Sequence, residues 1–418
     1  MSGTLLVRGA RQLITLRGSA EPRRGAALEE LGIIREGAVL IEDGRIVQVG
    51  LSRRVENLAL GHRSQEIDAT GHVVMPGFVD CHTHLVRGAP WLDDYEARTG
   101  AGQGPPLGPA PTIQALRNAS ANSLESRARR FVDIMIRHGT TTLEAKSGYG
   151  LDASGELKIL RVQARMDGAP LDIVSTFLTP RSIPAAYADD PAGYISWVCS
   201  ELLPAISRRA FARFAGLRYG GQVLNMEQSR RYLEAARALG FQLKIHAGQH
   251  PASDAVRLAL EAGATSVDRL HDAGPADLDL LARSKTMAVL LPGDAFRHGN
   301  GRCPPARQLI DGGAAVALGT NFNPGVSSTC SMQTIVALAC AHLRMSPAEA
   351  ICAATFNAAC AIGSGHVAGS LEVGKPADLI VLNASDYREI PYHFGVNLVN
   401  RTVKRGITIY QAGEVAAG

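Results

Sequence analysis

Short apolar runs alternate with amphipathic helical patterns through about 290 residues of this 418-residue chain, and few architectures accommodate that texture. The segments Leu171–Phe177, Gln242–His246, Met287–Leu291 and Ala315–Leu318 read as buried strands. Helical periodicity over Ser229–Leu239, Ala252–Glu261 and Pro347–Ala354 falls between them. A repeated strand–helix unit predicts a parallel sheet, either closed as a barrel or open and doubly wound. No glycine-rich phosphate loop opens a helix, which favours the barrel. Polar residues just after the apolar runs are then the site candidates, because barrel sites are built at the carboxyl ends of the strands.

The two ends of the chain differ from the middle. Thr4–Val7, Gln12–Thr15, Ala38–Glu42 and Arg45–Val49 read as strands, the last two joined by Asp43-Gly44, a strong hairpin signal. Asp378–Leu382 and Ile407–Tyr410 repeat the pattern. These termini predict a small composite β-sandwich domain from residues 1–75 and 367–418, around a barrel over 76–366. The segment from Gly100 to Pro111 is rich in Gly and Pro, follows the first candidate site strand, and is expected to cover the site as a lid.

Composition narrows the function classes. A hydrophobic content of 46%, 20% charged residues and a net charge of +4 describe an ordinary globular protein and predict no nucleic-acid partner. Basic residues occur singly or in pairs, as at Arg53-Arg54 and Arg208-Arg209, and not as a long run. The 7 cysteines form no CxxC pair, which predicts reduced thiols in a cytoplasmic protein. No apolar stretch approaches a membrane span, and no secretory signal is visible at the N-terminus.

His82-Thr83-His84 follows the run ending Phe78-Val79-Asp80, and His246 ends a second run at Lys244-Ile245. Alternation along a strand puts His82 and His84 on one face. Three imidazoles at strand ends make a candidate zinc site with room for a water of lowered pKa. A carboxylate is the usual further member of such a site, yet the segment Gly319-Thr320-Asn321-Phe322-Asn323 offers an amide.

Across nearly its whole length the chain resembles imidazolonepropionases, of the amidohydrolase superfamily. The matching segments include Pro76–Val86, Lys146-Ser147-Gly148-Tyr149-Gly150-Leu151, Glu227-Gln228-Ser229-Arg230-Arg231, Leu291-Pro292-Gly293 and Phe322–Gly325. The resemblance implies a distorted (β/α)8 barrel with a composite β-domain, a homodimer, and hydrolytic opening of an imidazolone ring to formiminoglutamate. It implies metal ligands at His82, His84 and His246, and a substrate contact at Tyr149. Four catalytic positions depart from the family, and two further segments do as well. Its ligating aspartate falls on Asn321, its glutamate on Gln249, and two site histidines on Arg181 and Arg269. The Phe-Cys-Glu segment becomes Arg218-Tyr219-Gly220, and the carboxylate-binding arginine falls near Trp91, with Arg87 and Arg98 close by in sequence.

Asparagine is no base at neutral pH, and arginine cannot shuttle a proton there. Two bare guanidiniums would also repel a divalent ion, by about 6–7 kcal/mol for a +1/+2 pair at ~5 Å and an effective dielectric near 20. Asp-to-Asn and Glu-to-Gln keep shape while removing charge, so the pattern reads as a repurposed pocket and not as decay. The preferred expectation is a non-hydrolytic reaction (ring closure, dehydration or isomerisation) on a small anionic or heterocyclic substrate. Arg181, Gln249, Arg269 and Asn321 then serve as catalytic groups, while Tyr149, Arg87 and His246 bind the substrate. The alternatives are a zinc-dependent hydrolase of an imidazolone-type ring and a non-catalytic ligand-binding relative. One zinc on the histidines is the open cofactor question, with the metal-free form preferred.

Overall fold

A computed structural model describes residues 3–413 except 19, 60–63, 89, 99–107, 109, 181–182, 221–223, 248–251, 299–302, 324 and 326. Its centre is a parallel sheet of eight strands in sequence order. The strands β6 (Phe78–Thr83), β7 (Thr140–Lys146), β8 (Asp172–Leu178), β9 (Phe214–Tyr219), β10 (Gln242–Ala247), β11 (Ser266–Asp268), β12 (Met287–Leu290) and β13 (Val316–Leu318) each pair with the next. A bridge from Thr83 to Phe322 and a 2.7 Å hydrogen bond from the His84 amide to the Phe322 carbonyl draw the last strand back to the first. Gly319 is required at this seam, because a Cβ there would lie 3.0 Å from the Cβ of His82.

Helices cross between the strands and bury their apolar faces against the sheet. Met226–Ala238 is typical, with Tyr232, Leu233 and Ala236 buried. It starts at a capping box in which Asn225 and Gln228 satisfy each other's amides. The packed layer between helices and strands, from Leu160 and Phe177 to Ile335 and Ile351, is the main apolar core.

The terminal strands form a separate sheet from both ends of the chain. They are β1 (Thr4–Ile14), β2 (Ile33–Glu42), β3 (Arg45–Leu51), β4 (Ser64–Asp68), β5 (Val73–Pro76), β14 (Leu379–Leu382), β15 (Val399–Lys404) and β16 (Ile407–Gln411). Antiparallel pairing of β5 with β14, Met75 opposite Ile380, joins the two ends. The two short strands read over Thr4–Val7 and Gln12–Thr15 are a single strand with an irregularity between Val7 and Ala10. Gly9 there has φ +72, and a Cβ would meet the Thr70 hydroxyl at 2.5 Å, so the kink looked like a break in the sequence pattern. The Asp43-Gly44 hairpin is present, with both turn residues left-handed at φ 47 and 77.

The predicted lid lies almost wholly outside the described residues, and its last two positions open the helix Ala110–Asn118. Among the described residues, no helix is long and apolar enough to cross a membrane.

Candidate active site

The carboxyl ends of the barrel strands repeat a polar-x-polar pattern: Asp80-x-His82 on β6, Glu144-x-Lys146 on β7, Lys244-x-His246 on β10 and Ser266-x-Asp268 on β11. Period-two alternation points each pair to one side, and together they fill the top of the barrel with buried charge. Lys146 contacts Glu144 at 2.8 Å and Asp268 at 3.3 Å, and Lys244 contacts Glu144 at 3.0 Å. Two cations and two carboxylates thus offset one another out of water, the condition under which buried charge is tolerated. Burial alone would raise the Asp268 carboxyl, but Lys146, Lys244 and the hydrogen bond from His82 outweigh it and hold it far below the usual carboxylate range.

Asp268 sets the state of His82. The carboxylate Oδ2 lies 2.7 Å from His82 Nδ1. An ionised Asp268 can only accept, so Nδ1 carries the proton and Nε2 carries the lone pair. His82 Nε2 is buried and has no hydrogen-bond partner among the described residues, and the same holds for His246 Nδ1. Burial, reinforced by Lys146, lowers the His82 pKa. Burial, followed by the charges of Arg218, His82 and Arg269, pushes His246 well below its ordinary value. Both rings are therefore neutral, the form that binds a metal.

Ring spacing tests the fit. Two imidazoles sharing one tetrahedral zinc ion, with Zn–N of ~2.0–2.1 Å, have centroids roughly 5.2 Å apart. The centroids of His82 and His246 are 5.2 Å apart, and those of His82 and His84 are 5.9 Å apart. Ligand atoms of His82, His246 and Asp268 lie within 4.8 Å of one another. His82 and His246 thus fit a shared divalent ion, with Asp268 as the carboxylate that orients His82, while His84 stands wider than that spacing at 5.9 Å from His82.

The Asn321 amide is hydrogen-bonded at both ends within the protein. Its Nδ2 donates to Asp294 Oδ1 at 2.7 Å, and its Oδ1 accepts from Asn323 Nδ2 at 2.8 Å. Asp294 also fixes which end of the amide is which, since a carboxylate can only accept. Arg269 reaches the same carboxylate, Nε to Oδ2 at 3.3 Å. The repulsion argued above for two bare guanidiniums is thereby weakened for Arg269, whose charge has a buried partner. Arg269 and Asn321 are both left-handed, at φ 80 and 49, a strain of about 1–3 kcal/mol each that this network holds in place. Two residues on, His271 Nδ1 lies 2.8 Å from the Arg269 carbonyl and its Nε2 is buried without a described partner. Arg181 and Gln249 lie outside the described residues.

Tyr149 stands edge-on to His84, with ring centroids 5.2 Å apart. Its turn is held by Glu156, whose carboxylate accepts from the amides of Gly148 at 2.9 Å, Gly150 at 2.7 Å and Leu151 at 3.1 Å. Arg87 is stacked between two rings, 4.4 Å from the centroid of Phe131 and 3.9 Å from that of Phe322. Burial pulls its pKa down to about 10, and its Nη1 has no hydrogen-bond partner among the described residues. Trp91 takes no such part. It donates to Thr112 and packs on Gly325, where a Cβ would overlap the indole.

Sequence reasoning missed Glu144, Lys244, Asp268, Asp294 and His271 as site-forming groups. The first three were signalled by the polar-x-polar strand ends. Asp294 and His271 had no local signal, because their partners are remote in sequence or belong to the backbone.

A model of the amidohydrolase family matches residues 224–409, and a second amidohydrolase family model matches residues 65–105. An imidazolonepropionase of Geobacillus thermodenitrificans is 41% identical over 433 residues, covering 98% of this chain and 99% of the relative. The chain belongs to the imidazolonepropionase family. A second such relative, from Symbiobacterium thermophilum, is 40% identical over 419 residues and covers 98% of each chain. Among solved structures, E. coli guanine deaminase is similar at TM-score 0.70 and 16% identity, covering 98% of this chain and 100% of that one. A Xanthomonas campestris adenosine deaminase with bound zinc is similar at TM-score 0.70 and 19% identity, covering 97% and 92%. These last two likenesses support the amidohydrolase fold of the imidazolonepropionase family and say nothing of substrate.

Proposed function

We propose that this protein opens a small, anionic, imidazolone-type ring by hydrolysis of a C–N bond, with a single divalent metal ion on His82, His84 and His246. The observation that carries this reading is the pair of buried nitrogens with no partner among the described residues, His82 Nε2 and His246 Nδ1, on rings held neutral. A zinc ion held there would supply Lewis acidity and a water of lowered pKa. Asp268 keeps His82 in the ligating tautomer, and Lys146 keeps Asp268 ionised. The cationic surroundings of Arg218 and Arg269 favour negative charge developing on the substrate. Arg87, stacked and buried with an unfilled Nη1, is the receptor for the substrate's carboxylate, and Tyr149 lines the way between it and His84.

Purified protein should hold one equivalent of zinc, lost in His82→Ala, and should bleach the ring absorbance of imidazolone propionate with label from heavy-oxygen water entering the product. Absence of zinc from the wild-type protein would sink this reading. Tyr149→Phe should weaken substrate binding by about 1 kcal/mol, read as a several-fold rise in KM at unchanged kcat, if its hydroxyl contacts the substrate. An unchanged KM would make Tyr149 a packing residue only.

One observation favours the non-hydrolytic reading instead. Both polar ends of the Asn321 amide are used inside the protein, and an amide cannot take a proton from water. Ring conversion without incorporation of label, by metal-free protein, would decide for it.

A further inference from the structure

Arg269 directly follows Asp268, and Asp268 is the register partner of His246 on the neighbouring strand. A fixed positive charge therefore stands at the strand end beside an imidazole assigned above to a divalent cation. Its neighbour across the rim is Asn321, just past β13. Both residues have left-handed backbones, and both donate to one carboxylate. That carboxylate belongs to Asp294, in the helix Pro292–His298 that follows β12, the strand between β11 and β13. Asp294 is 1% exposed, so its charge acts with little screening by water.

We propose that Asp294 is a positioning residue. It ties together the ends of β11, β12 and β13 through Arg269 and Asn321, and it offsets the arginine's charge so that a divalent cation can sit beside it. Arg269 remains in place as a directed donor, while its long-range repulsion is reduced. The acid thus sets the balance of the site between cation and anion binding. Asp294 reaches the imidazoles through Arg269 and is not itself assigned contact with substrate. This inference rests on the metal assignment above in one of its two arms only.

Asp294→Asn keeps the shape and removes the charge. Zinc affinity, measured by competition with a chelating indicator, should fall tenfold or more. Inorganic phosphate, titrated calorimetrically into chelator-treated protein, should bind at least tenfold more tightly, because the guanidinium is uncovered. Adding Arg269→Gln should reverse both effects, which a general loss of packing would not allow. Unchanged zinc and phosphate affinities in Asp294→Asn would overturn the proposal, and so would effects that persist in the double variant. Wild-type protein that binds no zinc would defeat the metal assignment, and the phosphate arm would still decide the role of Asp294. Should Asp294→Asn alone fail to fold, the double variant Asp294→Asn/Arg269→Gln decides, because removing both halves of the pair leaves the net charge of the site unchanged. Its zinc affinity should stay within threefold of wild type, and a tenfold gain would show that the arginine acts on the cation without being offset by Asp294.

Discussion

Asp268→Asn should be the most damaging conservative substitution in the barrel, lowering stability by about 3–5 kcal/mol, the usual cost of breaking a buried ion pair from one side. The carboxylate takes hydrogen bonds from His82 and from Ser266, each at 2.7 Å, and faces Lys146 at 3.3 Å. Removing its charge leaves two buried ammonium groups, Lys146 and Lys244, against the single carboxylate of Glu144. Both lysines are 1% exposed, so bulk water does little to solvate the excess. The same change frees the His82 tautomer, because an amide can donate as well as accept. Zinc affinity should then drop by roughly 10–100-fold, as for other outer-shell partners of a ligating histidine. Urea unfolding of the chelated protein and zinc competition measure the two effects separately. A loss of under about 1 kcal/mol would mean that the charge network is not an obligatory part of the core.

Mild acid should destabilise the metal-free protein steeply. His82, His246, His271 and His138 all have pKa values lowered first by burial. In the unfolded chain each titrates near 6.5, so below that pH the unfolded state binds protons that the folded state refuses. Their contribution is complete above about pH 6.5 and is lost as pH falls toward the folded values. Each histidine adds a slope of up to about 1.4 kcal/mol per pH unit, and four together up to about 5.5. Asp80 works against this. Burial raises its pKa to about 6, so the folded state takes its proton first, and stability is recovered between about pH 6 and 4. Burial raises Glu156 and Asp378 as well, so three carboxyls oppose four histidines and the net fall is smaller than the histidines alone would give. Urea midpoints from pH 8 to 5 with chelator present test this, and a flat profile would contradict it. His271→Gln, away from the three proposed ligands, should remove its share of the slope.

Much of the architecture was legible in the chain. The alternation of apolar runs and helical faces gave the parallel barrel, and Asp43-Gly44 gave the hairpin, because these signals are local and repeat at fixed periods. The single bulged strand Thr4–Ile14 was misread as two because Gly9 breaks the local pattern without ending the pairing. The histidines were legible as a spaced motif. Their neighbours were partly so: Lys146 and Asp268 sit two residues from other polar groups on apolar strands, a pattern that marks an inward-facing charged pair. Arg87 was read as a candidate from proximity alone, and its stacking between Phe131 and Phe322 depends on residues 44 and 235 positions away in the chain.

By itself, the sequence determined which side chains reach the carboxyl ends of the strands, since strand periodicity and the βα repeat fix that without knowledge of any contact. It also placed Arg269 and Asn321 just past the ends of two apolar runs, beside the candidate site. Only the tertiary structure decided what those two residues touch. Asp294 lies 25 residues beyond Arg269 and 27 before Asn321, and nothing local announces that one buried carboxylate serves both. Charge balance in a barrel interior is a sum over strand ends that meet only after closure. Whether an arginine repels a metal ion or lies neutralised beside it is therefore set by packing, not by the residue's own type.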